Sequence, residues 1–166
     1  MANINKMQGT TAKKSANTFN EFNTPTTATG SFAEFTAPIE LPQNELLQHE
    51  DLMYLRGVCT GFSMFTSRVT GRDIVLLHFV DGTNLDTKEP VGAFSLMQVV
   101  PENRQQLVQF LSPVIRQMGC KTVPEAANGS NNQIYVRLER NEQNPEFVNW
   151  RANSEVINEC QLLENK

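Results

Sequence analysis

The sequence predicts a mostly β domain, five strands with one helix between the third and the fourth, closing into a small barrel behind a flexible N-terminal arm. Three observations carry this. From Tyr54 to Val99 apolar residues come in short runs separated by glycine-rich turn signals. From Pro101 to Met118 the apolar period changes to that of a helix, with Leu107, Leu111, Val114, Ile115 and Met118 on one face. From Gln133 to Arg140 a two-residue alternation returns, setting Ile134, Val136 and Leu138 against Tyr135, Arg137 and Glu139.

Residues 1–40 are rich in Thr, Asn, Ala, Ser and Gly and follow neither period, so they read as a flexible arm. Within it Thr18-Phe19-Asn20-Glu21-Phe22-Asn23-Thr24-Pro25 is echoed by Ser31-Phe32-Ala33-Glu34-Phe35-Thr36-Ala37-Pro38. Paired aromatics in a polar segment suit docking into a groove, which makes Phe19, Phe22, Phe32 and Phe35 candidate partner-docking residues; packing on the protein's own core is the other reading. Residues 41–152 form the β domain and 153–166 a short tail or helix. Pro42 opens a helical segment over Gln43–Met53. The first strand runs from Tyr54 to Phe65, with bends at Gly57 and Gly61. The second, Asp73–Val80, is apolar on both faces and ends at the Asp81-Gly82 turn signal; the third is Val91–Val99. In the helix that follows, Pro113 predicts a kink or two consecutive short helices after Ser112. Phe147–Ala152 is the fifth strand, and Ser154 caps a terminal helix bearing Val156, Ile157, Cys160 and Leu163. This order matches the layout of the OB-fold, a small Greek-key barrel; another five-stranded barrel or an α+β sandwich would give a similar string.

Net charge is -4, and residues 51–151 hold ten charges of each sign, so affinity for nucleic acid has to come from a local patch. Cys59, Cys120 and Cys160 are far apart and odd in number, which suits free thiols in a reducing, cytoplasmic setting and neither metal nor redox chemistry. Met1–Thr10 has no apolar signal core, and no apolar run approaches the ~18 residues of a membrane span. Asp73, Asp81 and Asp86 sit where turns attract Asp, which accounts for them without a metal. Of the two histidines, His78 lies in the most apolar strand and reads as a satisfied core residue; no H-E-x-x-H, phosphate-binding loop or G-x-S-x-G is present. The expectation is a protein with no catalytic residue, cofactor or metal.

What remains is aromatic and basic side chains. Single-stranded nucleic acid is bound by stacking bases on rings and neutralising phosphates with Arg or Lys. Tyr135 and Arg137 leave the core side of the fourth strand together, with Arg140 at its end; Trp150 and Arg151 lie on the fifth strand; Phe62 and Phe65 lie on the first, and Arg68 and Arg72 flank its turn. Phe62 and Phe65 also suit a core, and Trp150 could plug a barrel end. Tyr135 is the leading stacking candidate.

The segment Gly57–Phe65 with Thr70-Gly71-Arg72, then Tyr135-Val136-Arg137 and Phe147-Val148-Asn149-Trp150, resembles the OB-fold single-stranded-DNA-binding proteins of phages and plasmids over residues 54–152. The resemblance implies single-stranded DNA as partner, a role in replication or recombination, and a homo-oligomer. Such proteins often end in an acidic tail with a terminal aromatic; this chain ends Leu163-Glu164-Asn165-Lys166. The rival reading is a virion or scaffold component that works through its F-x-E-F arm. Limited proteolysis is expected to remove the arm first and leave a fragment beginning between about residues 40 and 54; a resistant fragment that keeps Phe19 and Phe32 would show a packed arm.

Overall fold

The computed structural model describes residues 40–47 and 50–166; the arm with Phe19, Phe22, Phe32 and Phe35, and also His49, lie outside the described residues. The elements in order are β1 (Leu41–Pro42), α1 (Gln43–Leu46), β2 (Leu52–Thr66), β3 (Asp73–Asn84), β4 (Pro90–Val99), α2 (Gln106–Gln117), α3 (Val123–Ala126), β5 (Gln133–Arg140), β6 (Val148–Arg151) and α4 (Ser154–Glu164). The fold is mostly β. One sheet holds all the strands in the order β1-β4-β3-β2-β5-β6 and curls into a half-barrel. Neighbours are antiparallel except β1, which runs parallel to β4.

Several expectations need correction. The sheet has six strands rather than five, because β1 adds two residues opposite Phe94 and Ser95. The helix expected over Gln43–Met53 is a single turn, since Leu52 and Met53 are already paired with Glu139 and Leu138 of β5. Asp81-Gly82 does not end β3. Asp81 takes a φ of 54° and the register shifts between Phe79 and Gly82, so the turn signal is a bulge inside a strand that continues to Asn84. A Cβ on Gly82 would stand 2.7 Å from Gly92 O, which is why the crossing takes glycine. Pro113 neither splits nor ends α2. Proline cannot donate to the Gln109 carbonyl, and Ser112 Oγ donates to it instead at 3.1 Å. The cap of α4 is Asn153, whose side chain accepts from Val156 N, and not Ser154.

Alternation places Leu55, Phe79, Phe94, Leu96, Ile134, Val136 and Leu138 inside, where α2 covers them with Leu111, Val114 and Ile115. Phe79 and Phe94 stack with ring centroids 4.7 Å apart. A smaller cluster is separate from this core. It consists of Leu85 with Val156 and Cys160 of α4, and Tyr54, Tyr135 and Leu163 pack against it. Cys59 belongs to the main core and Cys160 to the small cluster.

The half-barrel leaves a seam between β4 and β6, which no backbone ladder joins. Side chains bridge it. The buried Gln43 donates from Nε2 to Val148 O (2.5 Å), and its Oε1 accepts from Met97 N (2.7 Å). Trp150 Nε1 donates to Met97 O at 3.1 Å. No helix among the described residues is long and apolar enough to cross a membrane. Gln43→Leu keeps the volume and strands one donor and one acceptor, so it is expected to lower stability by about 2 kcal/mol in urea unfolding; an unchanged midpoint would show that the bridge contributes nothing.

Candidate nucleic-acid interface

The cross-strand register of β2 and β5 sets Tyr54 opposite Arg137 and Arg56 opposite Tyr135. The four side chains form a chequered patch on the side of the sheet away from Val136 and Leu138, as alternation requires. This face does not meet solvent as the sequence alone suggested, because α4 lies over it. Tyr135 Oη donates to Glu164 Oε1 at 2.6 Å, and Arg56 pairs with the same carboxylate. Arg137 donates to Glu159 Oε1 (2.6 Å) and, through Nε and Nη2, to Glu139 Oε2 (3.0 and 2.9 Å). Lys88 Nζ adds a bond to Leu163 O at 2.5 Å.

Burial, and then the hydrogen bond to Glu164, pushes Tyr135 up to about 12. Tyr54 is raised by burial and by Glu159. Burial works against the charges of Glu164 and Arg137, and their partners outweigh it. Tyr135 and Arg56 hold Glu164 below the ordinary carboxylate value, while Glu159 and Glu139 raise Arg137.

The other expected site residues fall into separate places. Arg140 is spent on structure, donating to Pro145 O (3.0 Å), Glu50 O (3.0 Å) and Leu47 O. The groove beside it is rimmed by Asp51, Glu139 and Glu142, which disfavours a polyanion. Phe62 lies opposite Leu77 and packs on the core, whereas Phe65 is exposed. Arg68 is exposed in the β2–β3 turn; Arg72 donates to Val100 O at 2.9 Å. Trp150 and Arg151 stand at the seam. Trp150 is half-buried against the core, and Arg151 is exposed while donating to Glu139 Oε2 at 3.1 Å.

At the seam the structure adds residues that sequence reasoning missed. An open groove of about 410 Å³ is lined by Met97, Phe110, Phe147, Trp150 and Arg151 together with the amides of Gln43 and Gln98. It continues along Gln109 and Pro113 of α2. Phe110, Phe147 and Met97 are exposed. Phe110 falls off the apolar stripe of α2, the one signal that could have drawn attention to it.

A second missed arrangement joins β1 to the sheet. Ser63 Oγ lies 2.7 Å from His78 Nε2, and His78 Nδ1 lies 2.8 Å from Glu40 Oε1. His78 is therefore on the outer face of β3 and not in the core. The chain of bonds has the order of a nucleophile, a base and an orienting acid. It lies on the sheet surface, where it fastens Glu40, the residue before β1, to β2 and β3. Comparison with protein-family models, curated proteins and solved structures finds no match for this chain.

Because both tyrosines of the chain lie under α4, tyrosinate absorbance reads this face alone. Tyr135 is expected to titrate near 12 rather than the ordinary 10.0. A folded-state value above the unfolded one means that this contribution to stability is complete below pH 10 and is lost as pH rises through 12. Two tyrosines that both ionise near 10 would place them in solvent.

Proposed function

We propose that this chain is a non-catalytic single-stranded-DNA-binding protein with an OB-like barrel whose open seam is the binding groove. One observation carries the reading. The seam is lined by three aromatic rings, a methionine, amides and the guanidinium of Arg151, with no carboxylate among its lining residues. Rings stack bases of any sequence, a cation meets the backbone, and the lining adds no carboxylate of its own beyond Glu139, which pairs with Arg151 from outside the groove.

The topology supports the barrel assignment. With β1 set aside, the remaining strands run β4-β3-β2-β5-β6, and α2 lies between β4 and β5 in the chain. A pairing between β4 and β6 would complete a five-stranded barrel. OB-folds bind oligonucleotides through the loops joining their first two and last two strands. In this chain those loops carry Arg68 and Arg72 on one side and lead into Phe147 on the other. Phe65, Arg68 and Arg72 extend the track on this reading, and the role that fits is protection of transient single strands in replication or recombination, by a homo-oligomer.

Phe110 and Phe147 are exposed, so Phe110→Ala and Phe147→Ala leave the core intact. Each is expected to weaken binding of fluorescent oligo-dT by about 1–3 kcal/mol. Arg151→Ala is expected to weaken binding and to flatten its salt dependence by about one phosphate contact. Quenching of the chain's one tryptophan, Trp150, on adding oligo-dT is the direct readout. Wild-type protein that binds no oligo-dT at low salt, where attraction is strongest, sinks the reading. The assembly reading is then favoured, since the exposed Met97, Phe110 and Phe147 along the seam suit an apolar partner segment, and deletion of residues 1–40 would abolish function.

A further inference from the structure

We propose that the β2–β5 face under α4 is a second binding surface for a single-stranded polyanion, and that α4 is its resident occupant, placing carboxylates where phosphates would lie. The proposal takes from the preceding reading only the identity of the ligand.

The face has the composition that stacking and phosphate contact need. Both tyrosines of the chain alternate there with Arg56 and Arg137 across paired strands, and Lys88 reaches its rim. The helix that covers it carries a matching pattern of charge. Glu159 and Glu164, on the buried side of α4, meet one guanidinium each, and Glu164 also takes the Tyr135 hydroxyl. A helix that only closed a core would meet these strands with apolar side chains; α4 fully buries Val156 and Cys160 and sets two ion pairs beside them.

Two further observations indicate that the occupant can leave. The contacts of α4 belong to the small cluster of Leu85, Val156 and Cys160, separate from the main core, so its departure opens no part of that core. The chain is anchored just before the helix, where Gln117 Nε2 donates to Ala152 O at 2.9 Å, so β6 is held independently of α4. Nor does α4 satisfy the face completely. Arg56 Nε is buried without a hydrogen-bond partner among the described residues, which leaves a donor for an added oxyanion.

The test uses the full chain. In Glu159→Gln/Glu164→Gln the helix loses its charges but keeps its apolar contacts. Oligo-dT affinity at low salt is expected to rise about tenfold, with a steeper salt dependence, because Arg56 is freed for a phosphate and Arg137 keeps only Glu139 of β5 as its carboxylate partner. Val156→Asp expels the helix by a second route and is expected to give the same gain, while Trp150 fluorescence reports that the main core remains folded. Adding Arg56→Ala and Arg137→Ala to either variant should remove the gain and leave the affinity of the seam. No gain in either variant, or a gain that survives loss of both arginines, overturns the proposal. The outcome is separable from that of the seam: wild-type protein that ignores oligo-dT while the helix variants bind it would sink the seam reading and leave this one standing.

Discussion

The constraint on which this architecture depends is the change of partner along β2. Over Leu52–Val58 the strand is laddered to β5, and over Leu55–Thr66 to β3. Past Val58 its β5-side edge passes to the loop between α3 and β5, where Ser130 N donates to Cys59 O (3.0 Å) and Phe62 N donates to Ala127 O (3.2 Å). The chains approach so closely that a Cβ on Gly61 would stand 2.6 Å from Ala127 O, and one on Gly129 2.3 Å from Thr60 O. Glycine at both positions lets the sheet bend there. The bend carries β5 and β6 round toward β4, and the groove, the Gln43 bridge and the position of Trp150 follow from it.

A nearly neutral domain can offer a polyanion site only if its charges are sorted in space, and these are. Carboxylates gather over β2 and β5 through α4, and along the groove beside Arg140. The seam lining has none. Segregation of this kind is invisible in a sum over residues, because ten positive and ten negative charges cancel whatever their arrangement.

The strands were legible in the sequence wherever the pattern was local. The limits of β5 and the core assignment of Ile134, Val136 and Leu138 follow from alternation alone. What escaped was set by long-range pairing. Alternation puts Tyr135 and Arg137 on the side away from the core, but whether that side is wet depends on where α4 docks, and the spacing of α4 does not encode its target. The sequence places Gln43 only at the start of a helical segment, yet its amide is buried between strands that no nearby residue announces. Asp81-Gly82 showed the opposite failure, since a local turn signal was overruled by the ladders continuing on both sides of it.

The three thiols, unremarkable as chemistry, form a graded record of how the molecule opens. Cys120 is half-buried, Cys160 is fully buried on the inner face of α4, and Cys59 lies wholly inside the main core. Burial raises the Cys59 thiol to about 11 and the Cys160 thiol to about 12, so neither reacts while covered. An alkylating reagent therefore meets three successive barriers: native fluctuation for Cys120, undocking of the terminal helix for Cys160, and rupture of the half-barrel core for Cys59. The order of modification along the chain gives the hierarchy of motions without any introduced label.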